Sequence, residues 1–181
     1  MSQDKSFPTS AKVLHWLSAL LILCMLFIGV TMIQSLATWQ NTALQLHQSV
    51  GVLVFILVVL RLLNRLRIQA PALPSDITGI QHFAAKSTQV LMYVLMLALP
   101  ISGVLMRNSA GLPVSFFGAF DLPLWVSESM ASYGLYREAH GIMAWSLFGV
   151  IVLHISAALQ HGLIRQDGVL ASMLLSFRSR K

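Results

Sequence analysis

Four long runs of apolar residues, separated by segments that carry polar and charged residues, dominate the pattern along the chain. The runs cover residues 13–33, 46–63, 88–106 and 141–160. Each run comes close to the roughly 20 residues that an α-helix needs to cross about 30 Å of hydrocarbon. The pattern therefore predicts an all-α membrane protein, built as a bundle of four transmembrane helices.

The segments outside these runs predict two further elements. Residues 108–138 mix glycine and proline with aromatic side chains, which is typical of an ordered cap at the membrane surface. Residues 168–181 alternate apolar and basic positions, as an amphipathic helix on the membrane surface does. The first run exceeds the apolar segment of about 7–15 residues in a secretory signal peptide, so we expect it to remain as a helix.

Composition agrees with a membrane location. Of the 181 residues, 56% are hydrophobic and 10% are charged, whereas roughly 25% of the residues in a soluble domain are charged. The four runs leave too few residues for a separate soluble catalytic domain, so we expect one domain over residues 1–181. Any chemistry must then lie within the bundle or at its edge.

The net charge of +6 is unevenly distributed along the chain. If the four runs cross the membrane, ten of the twelve lysine and arginine residues lie on one side of it: Lys5, Lys12, Arg61, Arg65, Arg67, Lys86, Arg165, Arg178, Arg180 and Lys181. Basic residues accumulate on the cytoplasmic side of membrane proteins, so we expect both termini in the cytoplasm. The same charges favour contact with anionic lipid, and nothing resembles a nucleic-acid-binding module.

Four of the six histidines lie inside or at the margins of the runs, where an ionisable side chain is costly. His140 and His154 are 14 residues apart, which places them about 21 Å apart on nearly the same helix face. His15 lies at the depth of His154, and His47 at the depth of His140. The sequence thus predicts an inner pair, His15 with His154, and an outer pair, His47 with His140.

Two imidazoles at each level, with no carboxylate or thiolate beside them, suit iron or copper. A closed zinc site needs four ligands, whereas two imidazoles fill both axial positions of a haem iron. Such a haem has no open position for oxygen and mainly passes electrons. The chain has a single cysteine, Cys24, and no C-x-x-C-H sequence, which excludes a covalently attached haem.

Small and basic residues recur near these levels. Gly29 follows His15 by 14 residues and Gly51 follows His47 by four. Close helix packing is the simpler explanation for each glycine alone, but their recurrence at positions matched to the histidines makes both candidates to give room to a macrocycle. Arg61 and Arg65 lie at the inner level, where they pair with haem propionates or serve as positive-inside anchors.

The chain resembles the prokaryotic cytochrome b561 family, which consists of di-haem membrane cytochromes with four helices. The strings that carry this resemblance are VLHWLSALL, LHQSVGVLVFILVVLRLLNRLR and EAHGIMAWSLFGVIVLHISAALQHGLIRQDGVL. Together they extend over essentially the whole chain, and the spacing of their histidines is far more specific than any single motif.

The resemblance implies two haem b groups, ligated by His15 with His154 and by His47 with His140. It also implies a multi-pass protein of the bacterial inner membrane that exchanges electrons with ubiquinone or a related quinone. The other redox partner would be a small periplasmic molecule, with superoxide among the candidates.

His161 follows His154 by nearly two turns, on the same face at the cytoplasmic edge. An imidazole exchanges protons near neutral pH, so His161 is a candidate contact for a quinone, or simply a solvated side chain at headgroup level. Two functions are open at this point. One is a free-standing electron-transfer oxidoreductase, as a monomer or homodimer; the other is a membrane-anchor cytochrome for a partner subunit of a hydrogenase- or dehydrogenase-type complex.

Overall fold

The fold is seen in a computed structural model that describes residues 6–34, 37–69, 71 and 78–175. Four long helices, all long and apolar enough to cross a membrane, form the molecule. They are α1 (Thr9–Gln34), α2 (Trp39–Arg67), α3 (Gly79–Ser109) and α4 (Met130–Leu159). A π-helical turn (Gln160–Arg165) continues α4, and a short helix α5 (Val169–Met173) follows it. The predicted four-helix membrane architecture is confirmed.

The helices extend beyond the apolar runs that predicted them, and at the start of α3 a cap stabilises the extension. Helix α3 begins nine residues before the run at 88–106. The Thr78 hydroxyl accepts a hydrogen bond from the Gln81 amide at 3.3 Å, and the Gln81 side chain accepts one from the Thr78 amide at 3.1 Å. This reciprocal pair satisfies two amides that a helix start otherwise leaves without partners.

The connection between α3 and α4 is shorter than the predicted segment 108–138. It covers residues 110–129, because α4 already begins at Met130, where the Ser129 hydroxyl accepts a hydrogen bond from the Ser132 amide. The first turns of α4 carry polar residues that hydropathy alone assigns to a loop. Within the connection, β1 (Ser115–Phe116) and β2 (Phe120–Asp121) pair as an antiparallel hairpin.

Two buried polar side chains fix this hairpin and its flanks to the bundle. The Ser49 hydroxyl of α2 accepts a hydrogen bond from the Phe117 amide at 3.0 Å and lies 3.1 Å from the Ser115 carbonyl. Asn108 at the end of α3 accepts from the Trp125 amide at 2.9 Å. The cap is therefore ordered, while Trp125 and the hairpin residue Phe120 stay exposed, as expected at a membrane surface.

The predicted amphipathic helix over residues 168–181 lies only partly within the described residues. Helix α5 ends at Met173, and residues 176–181 lie outside the described part of the chain. The last two carbonyls of α5 accept hydrogen bonds from the start of the chain. The Phe7 amide donates to the Ser172 carbonyl at 3.1 Å, and the Trp16 indole donates to the Met173 carbonyl at 3.0 Å.

The four helices alternate in direction, so the start of α1 meets the end of α2, where Ser10 and Asn64 lie 3.4 Å apart. Between the two ends the interior is apolar, with Val58, Met96 and Leu147 among its buried residues. Large apolar side chains such as Leu20 and Leu153 point outwards, which suits a surface bathed in lipid rather than in water.

Candidate cofactor sites

The structure brings together both predicted histidine pairs. The ring centres of His15 and His154 lie 6.3 Å apart at one end of the bundle, and those of His47 and His140 lie 6.3 Å apart at the other. A metal ion that binds one nitrogen of each of two opposed imidazoles at about 2 Å holds their ring centres roughly 6 Å apart. The spacing of both pairs therefore suits a shared metal ion.

In the outer pair, Ser102 of α3 fixes the orientation of His140. The Ser102 hydroxyl lies 2.7 Å from the Leu99 carbonyl and 2.9 Å from Nδ1 of His140. A hydroxyl carries one proton, and the carbonyl can only accept, so the oxygen of Ser102 accepts the proton of Nδ1. This tautomer leaves the lone pair of Nε2 available to a metal, as partners of metal-bound histidines commonly arrange.

Glycine lies against each imidazole of the outer pair. A Cβ placed on Gly29 of α1 would be 3.5 Å from Cε1 of His47, and a Cβ placed on Gly103 of α3 would be 3.5 Å from Cε1 of His140. Any side chain longer than a methyl group would therefore press on a ring. The two rings of the outer pair are thus tightly packed, and Nδ1 of His47 is a buried ring nitrogen that has no hydrogen-bond partner among the described residues.

The inner pair has a charged neighbour. The Arg61 guanidinium donates to Nδ1 of His15 at 2.7 Å and to the Ser18 hydroxyl at 3.0 Å, and its carbon lies 5.6 Å from the centre of the Tyr93 ring. Because a guanidinium only donates, Nδ1 accepts, and the proton of a neutral His15 sits on Nε2. Binding of a metal through Nε2 therefore requires Arg61 to release Nδ1.

The other two predicted neighbours of the histidine pairs, Arg65 and Gly51, lie in different surroundings. Arg65 helps to line a small cavity, about 60 Å³ in volume, beside His15. The cavity lining is Phe7, Ala11, His15, Arg61, Asn64, Arg65, Ile68, Gln89, Tyr93 and Met173. Gly51 instead faces Met25, 3.6 Å from the position of a Cβ, so it serves close packing between α1 and α2.

His161 belongs to a cluster at the end of the π-helical turn. Its Nδ1 lies 2.6 Å from Oδ2 of Asp167, which also accepts from Nε of Arg165 at 3.0 Å. Partial burial on its own raises the pKa of Asp167. Hydrogen bonds from His161, Arg165 and the Val169 amide outweigh that effect and lower the pKa from 3.8 to about 2. The carboxylate is therefore ionised at physiological pH and holds the His161 ring in place.

The chemistry of these donors fits a haem better than a bare ion. Within residues 6–34, 37–69, 71 and 78–175, no group of three or more His, Cys, Asp or Glu side chains could hold a metal ion. Two opposed imidazoles leave the remaining positions of a six-coordinate iron to a macrocycle. Paired histidines on facing helices of a membrane bundle define the class of membrane-bound haem proteins that carry electrons.

Comparison with known sequences makes this class specific. The model of the family described as prokaryotic cytochrome b561 matches residues 6–175, and the chain belongs to this family. Membership implies binding of haem b and a multi-pass location in a bacterial membrane.

Three relatives support the assignment. Cytochrome b561 homolog 2 of Escherichia coli (strain K12) is 32% identical over 162 residues, which cover 88% of this chain and 86% of that protein. Cytochrome b561 homolog 1 of the same strain is 27% identical over 176 residues, with 93% and 96% covered. A protein of Yersinia pestis named probable superoxide oxidase CybB is 29% identical over 172 residues, with 89% and 91% covered.

Sequence reasoning missed three residues that touch the predicted histidines: Ser102, Gly103 and Asp167. Ser102 and Gly103 lie on α3, a helix without a predicted ligand, so no spacing rule relates them to His140. Asp167 follows His161 by six residues across the π-helical turn, and its carboxylate is the one signal in the sequence that a partner lies near this histidine.

Proposed function

We propose that the chain holds two haem b groups, one between His47 and His140 and one between His15 and His154. The equal spacing of the two pairs, 6.3 Å between ring centres, carries this proposal. Gly29 and Gly103 make room for the imidazoles of the outer pair, and Arg61 and Arg65 are available to the carboxylates of the inner group. When bound, the haems supply two one-electron carriers at different depths of the membrane.

We further propose that the protein spans the inner membrane of a bacterium, with the inner pair on the cytoplasmic side. Lys12, Arg65 and Arg165 lie at that end of the bundle, and the positive-inside rule places such residues in the cytoplasm. Four further basic residues that support this orientation, Lys5, Arg178, Arg180 and Lys181, lie outside the described residues. That residues 1–181 form a single domain stays a prediction.

The electron donor in this proposal is a small molecule on the outer side. Arg107 and Arg137 lie at that end, near the ordered cap, and attract an anion within about a Debye length of 8 Å. The name of the Yersinia pestis relative, probable superoxide oxidase, favours superoxide. Loss of one electron converts superoxide into dioxygen and requires no proton, so the protein has only to attract and admit the anion.

The electron acceptor in this proposal is ubiquinone or a related quinone at the inner end. Two electrons and two protons convert a quinone into a quinol, so the acceptor site needs a group that exchanges protons. His161 supplies one, because Asp167 occupies only Nδ1 and leaves Nε2 to face the acceptor. Asp167, ionised because of its lowered pKa, accepts a hydrogen bond from Nδ1 and so keeps the ring in one orientation.

Purified protein in lipid vesicles that contain ubiquinone tests this function. We expect two haem b per chain by pyridine haemochrome assay, reduction of both haems by superoxide, and reoxidation by quinone. One haem per chain contradicts the proposed sites, and a haem pair that superoxide leaves oxidised contradicts the proposed donor. Copurification of a soluble redox subunit would instead favour the role of a membrane anchor.

A further inference from the structure

The hydrogen bonds around the two histidine pairs differ in kind. In the outer pair, Nδ1 of His140 donates to a neutral oxygen, the Ser102 hydroxyl, and among the described residues no charged side chain forms a hydrogen bond with either ring. In the inner pair, a guanidinium lies against His15. Both pairs offer the same two imidazoles, so these neighbours are a source of different redox behaviour at the two sites.

The neighbour of His140 favours the oxidised form of a bound iron. An acceptor for the proton of Nδ1 makes the imidazole a stronger electron donor through Nε2. Stronger donation stabilises ferric over ferrous iron and lowers the reduction potential. Ser102 is well placed to act in this way, since it is only 6% exposed and its own proton is committed to the Leu99 carbonyl.

The neighbour of His15 has the opposite effect. A positive charge in a medium of low dielectric constant disfavours the oxidised iron, which carries one more positive charge than the reduced form. Arg61 remains close to the inner pair even after it releases Nδ1 of His15, because the fully buried Ser18 hydroxyl and the Tyr93 ring also hold its guanidinium.

We infer that Ser102 lowers the potential of the outer haem and Arg61 raises that of the inner haem, so that electrons move downhill from the outer side to the inner side. The inference rests on the proposed ligand pairs. In each transfer the outer site loses one electron and the inner site gains it, with no proton taken up or released. The residues Ser102 and Arg61 are positioning residues in this inference, because they act on the ligands and their surroundings rather than on a substrate.

Redox titration of the purified protein, followed by optical and electron paramagnetic resonance spectra, tests the first half. Ser102→Ala should raise the potential of the outer haem alone, with roughly a tenfold change in its ratio of reduced to oxidised form at a fixed ambient potential, which equals about 59 mV. Ser102→Thr keeps the hydroxyl and should restore the original value. Ser146→Ala is the matched control, because the Ser146 hydroxyl bonds only to the Ile142 carbonyl of its own helix.

Arg61→Gln tests the second half and should lower the potential of the inner haem alone, whereas Arg65→Gln should have a smaller effect. If Arg61→Gln fails to fold, Ser18→Ala, which removes one anchor of the guanidinium, should move the same potential in the same direction. Suppose the protein binds two haems per chain, but neither Ser102→Ala nor the Arg61 and Ser18 variants change a potential. That result would overturn this inference and leave the proposed function intact. Fewer than two haems in the unaltered protein would instead overturn the proposed function.

Discussion

The outer pair lies among uncharged partners, whereas the inner pair lies beside a guanidinium and a small cavity. Gly29, Gly103 and Ser102 leave the outer rings little freedom, and the cap above them is hydrogen-bonded to α2 and α3. Near the inner pair, Arg61 must shift before His15 can bind through Nε2. One side-chain type at one spacing thus gives two different sites, and the neighbours on α1, α2 and α3 make the difference.

Removal of a histidine ligand should have the largest effect on the difference between the two pairs. We expect His47→Ala or His140→Ala to remove only the outer haem, and His15→Ala or His154→Ala to remove only the inner one, so that each variant keeps one of the two. Haem content and redox titration of each variant measure this.

The control for the ligand variants is His82→Ala, because His82 is exposed on α3. It should keep both haems. Loss of the same potential component in His47→Ala and His154→Ala, with no such loss in His140→Ala, would show that the pairs are wrongly assigned.

Gly103 tests the close packing of the outer pair separately, because it lies against His140 and not against the inner pair. Gly103→Leu should lower the haem content from two towards one per chain, since the larger side chain displaces the ring of His140, while Gly103→Ala places only a methyl group at 3.5 Å and should keep both. Gly134→Leu is the control, because a Cβ there meets nothing within 4 Å. If the inner haem is lost instead, the outer site does not depend on this close fit.

The His161 cluster separates the inner end from the outer end in function. In vesicles that contain quinone, we expect His161→Ala to slow haem reoxidation roughly 100-fold and Asp167→Asn roughly tenfold, with haem spectra unchanged. Asp121→Asn, in the outer hairpin, should have no effect. Reoxidation at the unaltered rate in both cluster variants would remove His161 from the proposed quinone site.

The lowered pKa of Asp167 makes the stability of the His161 cluster depend on pH. A carboxylate whose pKa is lowered in the folded protein stabilises the fold above its ordinary pKa, and this contribution is lost as the pH falls towards the lowered value. The contacts of Asp167 should therefore persist above pH 3.8 and disappear only as the pH approaches about 2. Hydrogen exchange of residues 160–173 in vesicles measures this, with Asp167→Asn already exchanging fast at neutral pH.

Ser49 should give the smallest effect, and it should be confined to the outer cap. Ser49→Ala removes hydrogen bonds to the hairpin that contribute about 1 kcal/mol, so the amides of residues 115–121 should exchange roughly fivefold faster. Ser156→Ala removes a hydroxyl that bonds only within α4 and should leave the hairpin unchanged. Unchanged exchange in Ser49→Ala would indicate that other contacts hold the cap.

The sequence predicts what depends on position along a helix and misses what depends on neighbours from other helices. The apolar runs determine four helices, and the depth of each histidine along its helix determines which rings can meet. The partners Ser102 and Gly103 depend on how α3 is rotated against α4, and hydropathy does not determine that rotation. The contacts of Phe7 and Trp16 with the carbonyls of Ser172 and Met173 also join distant parts of the chain, and no local pattern predicts them.

Both histidine pairs take one member from α4, the last of the four long helices to leave the ribosome. Neither pair can therefore form while only the first three helices have been inserted into the membrane. Until then His15 and His47 have no partner ring, and the contacts of Phe7 and Trp16 with Ser172 and Met173 cannot form either. Cofactor uptake at the proposed sites must accordingly follow translation of nearly the whole chain, and a polypeptide arrested before α4 would accumulate without haem.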